Sequence, residues 1–555
     1  MWICGNLPWL MVRLRMSEKG TLTVVTQTKT VRIPCETDRT LLEVLTDNGI
    51  GEMSSPCGGN GLCGKCLVRI IEGDSGAVCE DERRLLTPDQ LASGLRLACR
   101  MRVDTHTTLT IDLLNTEEDA QVVATYETQH VVDGIAPDTF AQNTYGCAID
   151  IGTTTVVVFL VRLDIHQVLD HRSAMNSQRA YGGDVISRIQ YTSEHDQGLH
   201  LLQTEIVKQL DAMIASLLRD HDIAGEALST IVAVGNPTMI HLLVGADPAG
   251  IACAPFTPAF VEPRSMAAEE LGFSYVPQAR LILPGAVSAY VGSDITVGLY
   301  SSQIIEAGKV VLYLDIGTNG EIVLWDGSTL YSCSSAAGPA FEGASIRQGM
   351  GAIPGAIDRI WQSEDGSILH TTIAGRNARG ICGSAIIDAM ALLLAIQLVD
   401  DTGAMQGDHP DADSLLIDTP DGKALKLTDT VSFTSRDVRE VQLAKAAIAA
   451  GADVLLKEAG LSSDDLDMVV IAGGFGSYID IAHAKRIGLL PSVSTEKIVT
   501  VGNAAGKGAL AVLMHHAAAE EVERLRRETR YLELSSSLEF QQRYVDHMYF
   551  SEEGA

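Results

Sequence analysis

Three cysteines lie within a ten-residue, glycine-rich stretch of this chain, inside the segment PCGGNGLCGKC from Pro56 to Cys66. Cys57, Cys63 and Cys66 have the spacing C-x5-C-x2-C, and Cys99 follows with 32 residues between. A 2Fe–2S cluster needs four thiolate ligands, and the plant-type pattern is C-x4-C-x2-C with a distant fourth cysteine. The first gap here is one residue longer. The spacing therefore predicts a 2Fe–2S cluster held by these four cysteines.

The neighbouring residues bear on two alternatives. Glycines between the cysteines let the backbone curl around a cluster and point N–H groups at its sulfur atoms. A structural zinc site would more usually show two C-x2-C pairs. Cys79 competes with Cys99 as the fourth ligand, but the acidic residues 80–82 would add negative charge beside an anionic cluster. We therefore favour Cys99.

A second group of reactive residues is the sequence Asp-Ile-Gly-Thr, which occurs at 150–153 and again at 315–318, 165 residues later. An Asp at a strand end can hold Mg²⁺, the Gly permits a turn that brings N–H groups to phosphate oxygens, and Thr hydroxyls add donors. A single copy would equally fit a simple turn in an α/β sheet. Two copies predict a nucleotide site in which Asp150 and Asp315 position Mg²⁺ and the attacking water. The residues predicted to line the phosphates are Gly152, Thr153, Thr154, Gly317, Thr318 and Asn319.

Two glutamates near the second copy each have two interpretations. Glu321 is a candidate general base, but a strand residue that faces solvent would look the same in the sequence. Glu342, in the turn PAFEGA, has the same two interpretations.

The elements that carry these motifs are themselves repeated. The segments at 145–161 and 310–325 each read as a strand, the Asp-Ile-Gly-Thr turn and a second strand. A further pair, 228–243 and 466–481, reads as an apolar strand that ends in a turn of small residues. Two halves in the same order predict a duplicated α/β fold with a cleft between them. Around the cysteines, strand, strand, short helix, cluster loop, strand and final strand is the order of a ferredoxin β-grasp domain.

Composition excludes several classes of function. The net charge of −30 argues against nucleic acid as a partner and against an anionic membrane surface. No apolar run reaches the length of about 18 residues that spans a bilayer. The first residues lack the order of a signal peptide, and Met16 is an alternative start. Eleven cysteines, most of them scattered, are typical of a reduced cytoplasmic protein rather than a disulfide-bonded one.

The second part of the chain resembles the superfamily of acetate and sugar kinases, heat-shock chaperone ATPases and actin. The two Asp-Ile-Gly-Thr segments resemble its phosphate loops, and the segments at 284–294 and 501–513 resemble its connecting helices. Residues 473–476, Gly-Gly-Phe-Gly, resemble its adenosine motif, which implies that Gly473 and Gly474 accommodate adenosine. The whole fold is thus expected to be multidomain: a β-grasp 2Fe–2S ferredoxin, a linker and a duplicated, two-lobed actin-like ATPase fold of the α/β class. The implied bounds are 17–114 for the ferredoxin-type domain, 115–143 for the linker, and 144–305 and 306–555 for the two ATPase halves.

The combination resembles the reductive activators of corrinoid enzymes, including those of corrinoid-dependent methyltransferases and O-demethylases. The resemblance includes NSQRAYGGDVISRI at 176–189 and AAGPAFEGASIRQGM at 336–350, and ferredoxins of the resembling type place their last cysteine just before the final strand. It implies an ATP-hydrolysing enzyme, with ATP and Mg²⁺, that returns a corrinoid protein from Co(II) to Co(I). It also implies a low-potential electron donor and is compatible with a homodimer. Some activators carry a separate middle domain before the ATPase core, and this chain is expected to lack it.

Two rival functions remain open at this point. One is a kinase of the same superfamily in which the cluster senses redox state, and its product would be a phosphorylated small molecule. The other is an electron carrier whose ATPase fold only docks partners, although the Asp and Thr residues retained in both phosphate loops argue against it.

Overall fold

The computed structural model describes residues 20–25, 30–35, 39–48, 59, 61, 64, 66–86, 88–104, 107–113, 141–142, 144–305, 308–474 and 478–550. The chain divides into two compact units, with the boundary near residue 118. Within the described ranges, no helix is both long and apolar enough to cross a membrane. The expected linker falls almost entirely outside these ranges.

The N-terminal unit is a mixed sheet with a short helix packed on it. Its elements are β1 (Gly20–Val25), β2 (Thr30–Cys35), β3 (Arg39–Thr40), α1 (Leu41–Asp47), β4 (Leu67–Gly73), α2 (Glu80–Leu85), α3 (Pro88–Ala92), β5 (Leu95–Leu97), β6 (Arg102–Val103) and β7 (Thr108–Leu113). The sheet order is β2-β1-β7-β4-β5, with β1 and β7 parallel. Thr40 starts α1 with a capping box, in which its hydroxyl accepts from the Glu43 amide at 3.2 Å. Leu41 and Leu45 of α1 are buried with alternate strand residues such as Leu22. The predicted β-grasp order is confirmed.

The first half of the second unit is built on a six-stranded sheet. Its elements are β8 (Tyr145–Ile151), β9 (Thr155–Arg162), β10 (Gln167–Met175), α4 (Val185–Glu194), α5 (Gly198–Asp220), β11 (Leu228–Gly235), α6 (Pro237–Val244), α7 (Ala249–Ala252), β12 (Arg264–Ala267), β13 (Arg280–Leu283) and α8 (Ser293–Ser301). The strands β8, β9 and β11 are rich in Val, Ile and other apolar residues, and most of their residues are buried, as expected for a sheet covered on both faces.

The second half repeats this arrangement with additions. Its elements are β14 (Val311–Ile316), β15 (Gly320–Trp325), β16 (Leu330–Ser335), β17 (Ala356–Gln362), β18 (Ile368–Thr372), β19 (Gly380–Ile381), α9 (Gly383–Ala395), α10 (Ala412–Leu415), β20 (Leu416–Thr419), β21 (Gly422–Lys426), β22 (Ser432–Thr434), α11 (Ser435–Glu458), β23 (Met468–Ala472), α12 (Ile481–Arg486), β24 (Ile498–Gly502), α13 (Ala504–Met514), α14 (His516–Glu528), β25 (Thr529–Tyr531) and α15 (Leu538–Asp546).

The two main sheets have matching topology. The order β10-β9-β8-β11-β13 in the first half corresponds to β16-β15-β14-β23-β24 in the second. In both, the first three strands form an antiparallel meander, and the next two lie parallel to the strand that carries Asp-Ile-Gly-Thr. The duplicated two-lobed ATPase fold predicted from the repeated segments is therefore confirmed.

Two helices, α8 and α13, link the halves, because each packs on the sheet of the opposite half. Residues of α13 share a core with β8, β9 and β11 of the first half, whereas residues of α8 share a core with β14, β15 and β23 of the second. The helices themselves meet at glycines, because a Cβ on Gly298 of α8 would lie 3.5 Å from the Ala504 Cβ of α13, and one on Gly508 of α13 would lie 2.2 Å from the Val297 carbonyl oxygen of α8. The segment 284–294, expected to be the first connecting helix, is mostly a loop, and the helix begins at Ser293.

Candidate functional site

The two Asp-Ile-Gly-Thr motifs form equivalent hairpin turns between strands. Asp150 lies near the end of β8 and Asp315 near the end of β14. Gly152 closes the first turn by donating its N–H to the Thr155 carbonyl at 2.9 Å, and Gly317 closes the second by donating to the Asn319 carbonyl at 3.0 Å. Both turns therefore present threonine hydroxyls and backbone N–H groups at the ends of buried strands, where a phosphate would find donors.

Gly473 lies directly beside the second of these aspartates. Its φ is +91°, its N–H donates to the Gly502 carbonyl at 3.1 Å, and an added Cβ would stand 2.8 Å from Asp315 Oδ1. A glycine is required here both by the left-handed backbone and by this close approach. An added Cβ on Gly474 meets nothing within 4 Å. The following Phe475 and Gly476 lie outside the described residues.

Two asparagines that the motif search did not single out complete the turns. The Asn503 side-chain amide donates to Asp150 Oδ2 at 2.8 Å, and Asn236 donates to Thr153 Oγ1 at 3.0 Å. Each is the N-cap of a helix, α13 and α6, and follows a strand. The signal was present in the sequence, because Val-Gly-Asn occurs at 234–236 and again at 501–503.

A third carboxylate belongs to the same cluster. Asp294, in the first turn of α8, lies in the segment 284–294 but was not predicted as a site residue. Removal from water, followed by repulsion from Asp315 and Asp150, raises the pKa of Asp294 to about 8. Removal from water and the neighbouring Asp150 raise the pKa of Asp315 to about 7. The pKa of Asp150 is raised to about 6, also by removal from water, against the lowering effect of the Asn503 hydrogen bond.

Glu321 lies on the same face of the sheet as Asp315. The two residues are direct partners in the β14–β15 ladder, and Glu321 is 9% exposed. Glu321 is therefore buried, and its interpretation as a strand residue that faces solvent is excluded. Burial, then the charges of Asp294 and Asp315, raises the pKa of Glu321 well above its usual value. This shift opposes the ionised form that a general base needs.

Glu342 joins the turn at 152–154 to the turn at 317–319. Its Oε2 accepts a hydrogen bond from Thr154 Oγ1 at 2.5 Å, and its Oε1 accepts one from Thr318 Oγ1 at 2.9 Å. Gly317 also lies close to this carboxylate, because a Cβ on Gly317 would be 3.5 Å from Glu342 Oε1. One carboxylate thus contacts both halves of the duplicated fold.

Arg188 supports the first Asp-Ile-Gly-Thr turn from inside the protein. It is 0% exposed and donates to the Thr153 carbonyl at 2.5 Å and to the Gly182 carbonyl at 2.9 Å. Burial, and then the nearby Arg179, lowers the pKa of Arg188 to about 9. Asn176 adds a bond to the Gly152 carbonyl at 2.9 Å. The segment 176–189 therefore fixes the backbone of the Asp-Ile-Gly-Thr turn.

In the N-terminal unit, two of the predicted cluster ligands are described and both are buried. Cys66 and Cys99 are 1% and 3% exposed, and the Ala98 N–H donates to the Cys66 carbonyl at 2.8 Å. A Cβ on Gly59, within the glycine-rich loop, would lie 3.9 Å from the Cys99 Cβ. Cys99 thus lies against the loop that carries the other cysteines. Cys57 and Cys63 are outside the described residues.

Cys79 is the N-cap of α2, and two of the three acidic residues after it are paired. Glu82 forms a buried ion pair with Arg96 at 2.8 Å, and Asp81 pairs with Arg100 at 2.8 Å. Two of the three charges that argued against Cys79 are therefore compensated, so that argument is weaker than the sequence implied. The contact between Cys99 and the glycine-rich loop is the stronger reason to favour Cys99.

Family models cover almost the whole chain. Residues 24–104 match the 2Fe–2S iron-sulfur cluster binding domain, residues 145–307 match the RACo middle region, and residues 309–555 match the C-terminal domain of RACo, the ASKHA domain. The segment expected to be the first ATPase half, which begins with the first Asp-Ile-Gly-Thr motif, is the one that matches the RACo middle region.

Similar proteins and one similar structure agree with these matches. The corrinoid activation enzyme RamQ of Eubacterium limosum is 33% identical over 435 residues, which are 76% of this chain and 73% of that protein. A reductase of Methanosarcina barkeri, described as acting on the Co(II) methylated amine-specific corrinoid protein, is 26% identical over 65% of this chain and 68% of its own length. The solved structure titled reductive activator for corrinoid, iron-sulfur protein is 29% identical, with a TM-score of 0.68, and the match covers 95% of this chain and 98% of that one.

Proposed function

The chain belongs to the family of reductive activators of corrinoid proteins, and we propose that it uses ATP to drive the one-electron reduction of a partner corrinoid protein from Co(II) to Co(I). The electron passes through the 2Fe–2S cluster of the N-terminal unit. The observation that carries this proposal is the presence, in one chain, of a 2Fe–2S domain and an ATPase fold in which both phosphate loops retain Asp and Thr.

The energetics explain why both units are needed. Plant-type 2Fe–2S clusters have reduction potentials of about −400 mV, and the Co(II)/Co(I) couple of a corrinoid protein is expected to have a lower potential. Each shortfall of about 59 mV opposes a one-electron transfer by a factor of ten. ATP overcomes the shortfall if its binding or hydrolysis favours one conformation or complex over another.

In the N-terminal unit, the proposed ligands of the cluster are Cys57, Cys63, Cys66 and Cys99. The described pair fits this role, because Cys66 and Cys99 are buried and Cys99 lies against Gly59 of the loop. Thiolates supply the charge that an iron–sulfur cluster needs, and the surrounding N–H groups tune its potential.

In the second unit, the proposed nucleotide site is built around Asp150 and Asp315, whose carboxylates hold Mg²⁺ and orient the attacking water. Hydrolysis breaks the bond between the γ-phosphorus and the bridging oxygen as the water oxygen attacks, which yields ADP and phosphate. Mg²⁺ bound to the phosphates would supply positive charge to an acidic cluster that otherwise resists ionisation. The phosphates are held by the turns at 152–154 and 317–319, and adenosine lies against Gly473 and Gly474. The domain bounds of the sequence analysis remain part of this proposal.

The partner is proposed to be the corrinoid protein of a methyltransferase or O-demethylase system, and a separate low-potential donor is proposed to reload the cluster. A homodimer and a cytoplasmic location complete the proposal. The location rests on the many scattered cysteines, which favour a reducing compartment.

The test is anaerobic reduction of candidate corrinoid proteins, followed by the cobalt absorption spectrum. With a low-potential donor, ATP and Mg²⁺, Co(II) should convert to Co(I), and omission of ATP should block or greatly slow this conversion. The partner in its Co(II) state should also stimulate ATP hydrolysis. Transfer of phosphate to a small molecule, with no ATP-dependent cobalt reduction in any partner, would instead support a kinase.

A further inference from the structure

Among the residues that the structure describes, Glu342 accepts hydrogen bonds from both proposed phosphate loops. It accepts from Thr154, 188 residues earlier, and from Thr318, 24 residues earlier. The two loops belong to opposite halves of the duplicated fold, so these two hydrogen bonds connect the walls of the cleft. Glu342 lies in the segment 336–350, which follows β16.

The same hydroxyl groups are the donors that a nucleotide phosphate would use. A threonine hydroxyl has a single proton, so it donates either to Glu342 or to a phosphate oxygen, not to both. Glu342 and the terminal phosphate of ATP are also both anionic, and like charges that share one set of donors repel each other strongly away from bulk water. The carboxylate and the phosphate therefore compete for Thr154 and Thr318.

We propose that Glu342 is a positioning residue that ties the two phosphate loops together and is displaced when ATP takes their hydroxyl groups. This inference rests on the proposed function, because it assumes that the loops bind ATP phosphates. Binding of ATP then moves the segment that carries Glu342, so the position of this segment depends on whether the nucleotide is bound.

The contacts of the following residues show where such a movement would be felt. The φ of Gly343 is +78°, and an added Cβ there would lie 2.6 Å from the Met350 nitrogen, so the turn is closed tightly against 349–350. The Met350 N–H donates to the Ile381 carbonyl at 3.0 Å, which connects this segment to β19. The Arg347 N–H donates to Asp437 Oδ1 at 2.7 Å, at the start of α11. The segment after Glu342 is therefore not a free loop. Displacement of Glu342 changes the hydrogen bonds that this segment makes with β19 and α11.

The test compares Glu342→Gln with Glu364→Gln in the full chain. Glu364 is an exposed glutamate in the turn between β17 and β18, so its substitution is a matched control. Calorimetric titration with ATP and Mg²⁺ should show at least about tenfold tighter binding for Glu342→Gln, because the competing charge is gone. Glu364→Gln should bind as the unaltered protein does. When Thr154 and Thr318 are both replaced by Val, the gain in affinity from Glu342→Gln should be clearly smaller, because the competition for the two hydroxyl groups is gone and only the repulsion between carboxylate and phosphate is left to relieve.

Unchanged or weaker ATP binding by a folded Glu342→Gln protein would overturn the proposal. If that protein also lost hydrolysis at unchanged affinity, Glu342 would be a catalytic residue instead. If the variant does not fold, hydrogen exchange in the unaltered protein decides the matter: a non-hydrolysable ATP analogue should speed exchange of the amides in 342–350, and no change there refutes the proposal. Neither measurement uses a corrinoid protein, so failure of cobalt reduction and failure of this inference are separate outcomes.

Discussion

The side-chain amide of Asn503 holds the carboxylate of Asp150 at 2.8 Å, across 353 positions of the chain. Asn503 begins α13, whose residues pack on β8, the strand that carries Asp150. A helix from the second half thus sets both the orientation and the ionisation of an aspartate in the first half. Removal from water raises the pKa of Asp150 to about 6, and the Asn503 bond acts in the opposite direction. This contact therefore favours the charged form, which is the form proposed to hold Mg²⁺.

Replacement of Asn503 should therefore shift the pH dependence of ATP hydrolysis. In the unaltered protein, activity should fall as the pH drops through the range set by the pKa values of about 6 for Asp150 and about 7 for Asp315. Asn503→Asp places a like charge beside Asp150 and should move this acid limb upward by about one pH unit. Asp also caps helices well, so the melting temperature should change little. The measurement is a pH profile of phosphate release.

Asn377→Asp is the control for that profile, because Asn377 is exposed and outside the cleft. An acid limb that stays in place in Asn503→Asp would show that ionisation of Asp150 does not limit hydrolysis.

The sequence predicted the parts of this site that are local in the chain. The Asp-Ile-Gly-Thr turns, and the glycine beside Asp315, follow from short patterns of strand, small residue and hydroxyl. Asn503 carried a weaker signal, a repeated Val-Gly-Asn, whose meaning depends on which strand lies opposite. The contacts of Glu342 with Thr154 could not be predicted, because a single sequence does not state which residue 188 positions away completes a hydrogen bond. In the same way, the fold class followed from the repeats, whereas the start of α8 at Ser293 did not.

Asp294→Asn should stabilise the second unit, and increasingly so as the pH rises. In the folded protein the pKa of Asp294 is about 8, well above the ordinary value of 3.8, so between these values the folded state holds a proton that the unfolded state has released. The free energy of unfolding therefore decreases as the pH rises through this window. Asn has no proton to lose and keeps the shape. Its advantage in melting temperature should grow from pH 5 to pH 8, whereas Asp464→Asn, an exposed control, should show no such trend. Parallel pH curves for the two variants would contradict the assignment.

Arg188→Met should weaken both the fold and ATP binding. The substitution leaves the buried carbonyls of Thr153 and Gly182 without their donor, and breaking such contacts costs about 3 kcal/mol of unfolding free energy. Denaturant titration and ATP titration measure the two effects. Arg280→Met, at an exposed position of β13, should change neither. Normal ATP affinity in a destabilised Arg188→Met protein would show that Arg188 supports the fold without shaping the phosphate loop.

Cys99→Ser should lose the cluster, and Cys79→Ser should keep it. Cys99 is buried against the glycine-rich loop, whereas Cys79 occupies the N-cap of α2. Protein purified without oxygen should contain about two irons and two sulfides per chain. Iron and acid-labile sulfide analysis, with electron paramagnetic resonance after reduction, distinguishes the variants. Zinc without sulfide in the unaltered protein would refute the cluster assignment itself.

Asp315→Asn should separate the chemistry of the two units. Asn keeps the size of the side chain but removes the charge that would hold Mg²⁺. Asp315 also lies so close to Gly473 that a Cβ on this glycine would be only 2.8 Å from Asp315 Oδ1. Hydrolysis of ATP should fall by at least about a hundredfold, since positioning of metal and water contributes several kcal/mol to such reactions. The iron content and the reduction of the cluster by dithionite should be unchanged, because the mutated side chain belongs to the second compact unit. Cobalt reduction in a partner should then become insensitive to ATP. If Asp315→Asn lost its iron as well, the two units would not be independent, and the loss of activity in this variant could no longer be assigned to the nucleotide site.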